Sequence, residues 1–165
     1  MKRIVVADSG PLIGLARVNQ LDLLEKLYHQ ITITSMVLEE LKLSSEKPGA
    51  KKISAAVDAG WIAVCRLKKK DDDSILNMLV DAGEAESIQL ALAQNADILI
   101  IDDRKGRKIA KSRKVRIIGI GGILIAAKRK GLLDKVAPII NDLADVGYRL
   151  SPDLCRRILE LADEG

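Results

Sequence analysis

The chain alternates short apolar runs with longer stretches in which apolar residues recur every three or four positions. RIVVA, residues 3–7, has no acidic or amide residue to interrupt it and predicts a buried strand. Pro11 then falls where the first turn of a following helix is expected. In QLDLLEKLYH, residues 20–29, Leu21, Leu24 and Leu27 share one helical face. ITIT, residues 31–34, is short and β-branched, a second strand. Ser35 is the expected N-cap of a helix through MVLEELKL, with Glu39 as its capping-box partner.

Pro48-Gly49 interrupts the chain, and residues 50–59 form a further amphipathic helix ending at Gly60. WIAVCRL, residues 61–67, predicts a third strand, and KKKDDD, residues 68–73, a solvated loop without function. After Gly83, EAESIQLALAQN is strongly helical in composition. DILII, residues 97–101, is a fourth strand; a basic helix follows, then VRIIG, residues 115–119, and helices over 121–130, 133–146 and 151–163. Strands without polar alternation, separated by helices, imply a parallel sheet covered on both faces. The expectation is an α/β fold, a three-layer α/β/α sandwich around a central, mainly parallel sheet. One domain is expected over residues 1–165, with 121–165 as its C-terminal helical extension. Leu132, Leu133, Val136, Ile139, Ile140 and Leu143, then Leu154, Ile158 and Leu161, are expected to pack on that sheet; a dimer seam or a groove for a partner peptide is their other possible use.

With 48% hydrophobic and 30% charged residues the composition is that of a globular chain. There is no Phe, one Trp and two Tyr, so the core must be aliphatic and base stacking cannot be a main source of affinity for nucleic acid. No apolar run approaches the roughly 20 residues of a membrane span, and the start lacks an export-signal pattern. With only Cys65 and Cys155, the expectation is a reduced, cytoplasmic protein with no membrane association and no structural zinc. His29 is the single histidine, which removes most histidine chemistry, and Ser9 has no histidine within sequence reach to form a triad. Gly119-x-Gly121-Gly122 has Leu124 where a dinucleotide-binding loop needs its third Gly, and reads instead as a tight turn into a helix.

The acids then change the picture. Asp8 ends the first buried run, and Asp102 and Asp103 end the fourth. Sites in open parallel sheets form beyond the carboxyl ends of strands. Glu40 lies in the helix after the second strand, and Glu84, with Glu86 nearby, begins the helix before the fourth. Such acids repel one another unless a cation holds them, and with oxygen ligands alone that cation is Mg²⁺ or Mn²⁺, suited to phosphoryl chemistry. Taken singly, each acid has a plainer use as a helix cap or an exposed charge. Glu84 and Glu86 point about 200° apart on a helix, so only one can face an ion. Glu84 is preferred, and both Asp102 and Asp103 are retained. The run DDRKGRKIAKSRKVR sets a basic strip beside the acids, either a solvated helix face or a phosphate track led by Arg104 and Arg107.

VVADSGPLIGL with Asp8, ITSMVLEEL with Glu40, GEAESIQLAL with Glu84 or Glu86, and ADILIIDDRKGR with Asp102 or Asp103 stand in the order and spacing of a known family. On these four blocks, over residues 3–120, the chain resembles the PIN-domain ribonucleases, including the VapC-like toxins. It differs in carrying Glu, where the family usually has Asp, in the third block, and Ile-Asp-Asp where it has Thr-x-Asp in the fourth. GIGGILIAAKRKGLLDKV and GYRLSPDLCRRIL extend the resemblance to a bacterial and archaeal PIN-like subgroup. The resemblance implies Mg²⁺- or Mn²⁺-dependent cleavage of single-stranded RNA. Asp8, Glu40, Glu84 and Asp103 would be ligands, Asp102 a substitute, and Ser9 a hydroxyl beside the metal. It also implies a toxin role, a small antitoxin protein as partner, and a homodimer. The alternative is a PIN-like RNA- or protein-binding module with weak or no catalysis. A phosphoacceptor resembling a response-regulator receiver would need a further Asp and a late Lys at strand ends.

Overall fold

A computed structural model describes residues 3–165. Strands β1 (Val5–Ala7), β2 (Ile31–Thr34), β3 (Ile62–Cys65), β4 (Ile98–Ile100) and β5 (Ile117–Ile118) form one sheet, ordered β3-β2-β1-β4-β5, with every pairing parallel. β1 is central and registers Val5, Val6 and Ala7 against Ile98, Leu99 and Ile100 of β4. The chain order reverses between these two strands, so their carboxyl ends open onto the crevice where such sheets bind ligands. Asp8 leaves one side of that crevice and Asp102-Asp103 the other.

The helices are α1 (Ser9–Arg17), α2 (Asp22–Tyr28), α3 (Ser35–Leu41), α4 (Ala50–Asp58), α5 (Ser74–Leu79), α6 (Ala82–Ala93), α7 (Arg104–Ser112), α8 (Ile120–Arg129), α9 (Ala137–Asp145) and α10 (Pro152–Leu161). Successive strand residues face opposite layers, which gives two cores. Val5, Ala7, Ile31, Ile33 and Ile100 pack with Leu12, Leu24 and Leu124. Val6, Leu99 and Ile101 pack with Leu76, Ile88 and Ala110. This is the three-layer arrangement expected from unbroken apolar strands.

Two local expectations are corrected. The N-cap of α3 is Thr34, whose Oγ1 accepts from the Val37 amide at 3.1 Å, so the helix starts one residue early, at Ser35, and Glu39 is exposed. Residues 68–73 are not simply loop. Lys69–Asp71 form a 3₁₀ turn, and Asp73 caps the unforeseen α5 by accepting from the Ile75 and Leu76 amides while pairing with Arg113 at 3.1 Å. Three hydrogen bonds on one carboxylate hold its pKa below the usual range.

The C-terminal helices join the first core. Val136, Ile139, Ile140, Leu143 and Ile158 are buried in it, whereas Leu154 and Leu161 stay exposed. Glu164 fastens the chain end by accepting from the Val136 and Ala137 amides at 2.8 and 3.1 Å and from Lys128 at 2.9 Å. Those bonds draw its pKa down to about 2. Leu143→Ala is therefore expected to cost about 2–5 kcal/mol, as for other fully buried leucines. One cooperative transition in chemical denaturation would show that residues 121–165 unfold with the sheet, and two separated transitions would show that they do not.

Candidate functional site

Asp8 occupies the N-cap position of α1 in extended backbone, yet its carboxylate makes no capping hydrogen bond. It is 6% exposed, and Oδ1 is buried without any partner. Burial pushes its pKa up to about 7; the Ser9 amide opposes the shift, and the charges of Asp81, Glu40 and Asp103 add to it. The capping explanation thus fails for this residue, because a helix cap would be hydrogen-bonded.

Glu84, 8% exposed on the first turn of α6, lies in the same cleft, and its pKa is pushed up to about 8 by burial and then by Asp81, Asp103 and Asp8. Asp103 is exposed and caps α7 through the Gly106 amide at 2.9 Å. Glu40 is half-buried on α3 and accepts from Ser9 Oγ at 3.2 Å. Its carboxylate lies over Gly83, where an added Cβ would stand 2.3–2.4 Å from both oxygens. Burial is the chief reason its pKa is raised, with the Asp81 and Glu86 charges contributing.

Asp81 is the acid the sequence reading missed. It caps α6, accepting from the Glu84 amide at 2.9 Å, and it lines the cleft. An Asp three residues before a Glu at a helix start was the available signal. The cleft, about 490 Å³, is lined by Asp8, Ser9, Asp81, Glu84, Asp102 and Asp103 together with Gly147–Ser151 and Leu154. Glu86 instead lines a different cleft, beside Lys68 and Lys69. Among the described residues, no ion pair involves Asp8, Glu40, Asp81, Glu84 or Asp103.

Asp102 lines the cleft but is already engaged. It accepts from the Tyr148 hydroxyl and from the Ile120 amide at 3.1 Å, at the start of α8. Burial raises its pKa while Tyr148, Ile120 and Arg107 counter the shift. Arg107, expected on a phosphate track, turns inward and donates to the Ile101 carbonyl at 3.0 Å. Arg104, Lys105, Lys108 and Lys111 remain exposed.

A larger cleft of about 790 Å³ opens at the amino end of the strands, lined by Arg3, Tyr28, His29, Trp61 and Lys130 among others, with no carboxylate. Chemistry rather than size selects the acidic cleft. The acids suit a hard divalent cation: the donors are all oxygen, one is an orphaned buried carboxylate oxygen, and among the described residues no lysine or arginine forms an ion pair with the group. Among the described residues no three acidic, histidine or cysteine side chains are already gathered to hold a metal. An ion held here would have to draw carboxylates inward.

Between their ordinary values of 3.8 and 4.5 and their folded values near 7 and 8, Asp8 and Glu84 hold protons in the folded chain that the unfolded chain has released. The metal-free protein should accordingly lose stability as pH rises across that window. A melting temperature lower at about pH 8 than at about pH 5, with a smaller difference in Asp8→Asn, is the expected outcome. Glu164 and Asp73 act in the opposite sense, but only below their ordinary carboxylate values.

A family model, DUF3368, described as a PIN domain, matches residues 4–164. Among solved structures the chain is similar to a PilT N-terminus domain protein from the hyperthermophilic archaeon Sulfolobus solfataricus. That match has 23% identity and a TM-score of 0.54, and covers 75% of this chain and 93% of that one. Among functionally curated proteins there is no match. The order of the strands, the acids at the β1–β4 crevice and the match across nearly the whole length agree: the chain belongs to the PIN-domain family.

Proposed function

We propose that the protein is an Mg²⁺- or Mn²⁺-dependent endoribonuclease that hydrolyses phosphodiesters of single-stranded RNA. PIN domains have a nuclease-type fold. The observation that carries the reading is Asp8, a buried carboxylate with an orphaned oxygen inside a cluster of unpaired acids. Asp8, Glu84 and Asp103 would hold the ion, with Glu40 steadied by Ser9 and Asp81 beside them. The bound ion would neutralise these acids and supply Lewis acidity toward water and the phosphodiester.

The chain's own contribution is to hold the acids in a partly dry cleft. Ser9 fixes one Glu40 oxygen, and the glycine at position 83 leaves room for that carboxylate. The Gly106 amide fixes one oxygen of Asp103 and leaves the other free. Because Asp8 and Glu84 keep protons to unusually high pH, taking up the ion means releasing them, and affinity should rise with pH through that range. From the resemblance to VapC-like toxins we further propose a toxin role in the cytoplasm, inhibited by a small antitoxin protein, with a homodimer as the working form. The rival, a binding module without catalysis, draws on the absence of a ready-made metal cage among the described residues.

Two variants test this. Asp8→Asn, incubated with labelled single-stranded RNA and Mn²⁺, is expected to lose cleavage on the order of 10²-fold, the scale of removing one group that stabilises transition-state charge. Cleavage without metal, or undiminished in Asp8→Asn, would overturn the mechanism. A wild type that binds RNA but never cuts it with Mn²⁺ would favour the rival. Gly83→Ala should fold at least as well, since alanine is the better helix former by about 1 kcal/mol. It displaces the Glu40 carboxylate, so calorimetry should record Mn²⁺ affinity falling about tenfold or more.

A further inference from the structure

The turn between α9 and α10 forms one wall of the acidic cleft. Gly147 turns the chain with φ of +84°, and Tyr148, Arg149 and Leu150 follow it along the cleft. Tyr148 is the fastener. Its hydroxyl donates to Asp102, whose carboxylate also takes the first amide of α8. Its ring lies on Gly14 of α1, where an added Cβ would stand 2.9 Å from two ring carbons. One side chain thus ties the turn to α1, to the end of β4 and to the start of α8.

Arg149 comes next along the chain. It is exposed, it lines the cleft, and among the described residues it forms no ion pair, although the cleft holds five carboxylates. Those carboxylates repel a polyanion everywhere except at an ion they bind. A strand entering the cleft has phosphates on either side of the reacting one, and they need a cation of their own. Guanidinium, always charged and able to bond two phosphate oxygens at once, supplies one. The basic strip on α7 offers Arg104 outside the cleft, but Arg107 is committed to the Ile101 carbonyl.

We propose that Arg149 binds a phosphodiester next to the scissile one in single-stranded RNA, and that Tyr148 is the positioning residue that holds it over the acids by bonding Asp102. This rests on the nuclease reading above.

The test uses the full chain and a fluorescein-labelled oligouridylate, with anisotropy in Ca²⁺ for binding and steady-state cleavage in Mn²⁺. Arg149→Ala is expected to weaken binding about tenfold and to lower the slope of log affinity against log salt by about 0.7, one single-strand phosphate contact. It should raise KM with little change in kcat and leave the melting temperature unchanged. Arg149→Lys should keep the salt slope, and Lys130→Ala, at the opposite edge of the sheet, should keep both slope and affinity. Tyr148→Phe should weaken binding less than Arg149→Ala and speed amide exchange at 147–151. An Arg149→Ala protein with unchanged affinity, slope and KM overturns the inference and leaves the nuclease reading standing. So does an equal loss in Lys130→Ala, which would mean diffuse charge. Unchanged binding and amide exchange in Tyr148→Phe overturn its positioning role. A wild type that neither binds nor cuts the RNA removes both proposals together.

Discussion

Asp8 is buried at the end of the central strand with a carboxylate oxygen that has no bonding partner among the described residues. Leaving a buried carboxylate unsatisfied is among the costlier things a fold can do, and charge magnifies the cost. The chain lowers it by letting Asp8 keep its proton up to about pH 7. Glu84, buried beside Asp81, Asp103 and Asp8, likewise keeps its proton, up to about pH 8. Neither group is where packing alone would put an acid, since an apolar or amide residue of similar size would satisfy the fold better. Glu86 also has a buried oxygen without a partner, in the cleft beside Lys68 and Lys69, so what sets Asp8 apart is the company of the other acids.

The architecture makes the conflict bearable. In a parallel sheet every strand delivers its chain to the same edge, where the next helix begins. Helices α1, α6, α7 and α8 all start at the acidic cleft: Asp8, Asp81 and Asp103 hold the cap positions of three, and Asp102 takes the first amide of the fourth. Each start presents unsatisfied amides and the positive end of a helix dipole, which favour nearby anions. Three of the four aspartates are fixed by such amides, whereas Asp8 makes no capping bond and leaves Oδ1 without a partner among the described residues. Helix starts therefore explain why acids gather at this edge, but they leave Asp8 unexplained, and that remainder is what points to an external cation.

Much of this was legible in the sequence. Unbroken apolar runs separated by helices specified the sheet and its layers, and an acid closing a buried run marked Asp8 before any geometry was known. What stayed hidden depended on contacts between distant segments. Asp102 and Asp103 both end the fourth strand, and what tells them apart is a bond to Asp102 from Tyr148, 46 residues further on. Arg107 reads as a free cation until the Ile101 carbonyl, emerging unpaired from the strand, claims it. The six residues of α5 are too few for a helical period to stand out, and the helix is anchored by Asp73, Arg113 and the buried Leu76. Asp81 was a different kind of miss. Its capping spacing to Glu84 is present, but Gly83 reads as a helix breaker and hides a start at Ala82, one residue before it.

Asp8, buried, and Asp102, half-buried, line the same cleft, yet they separate into different kinds of acid. Asp102 has a hydroxyl and an amide as donors and a guanidinium nearby, so its charge is compensated from within the chain. Removing it would strand the Tyr148 hydroxyl and the Ile120 amide and loosen the 147–151 turn and the start of α8 together. Asp8 has only its neighbour's amide to oppose burial and three acids to aggravate it. A carboxylate that the protein satisfies by itself has no affinity to spare for a ligand, whereas one left unsatisfied is stabilised as soon as a cation arrives. The C-terminal extension thus does more than cover the sheet: it occupies Asp102 through Tyr148, while Asp103, which also lines the cleft, is bonded through one oxygen to the Gly106 amide.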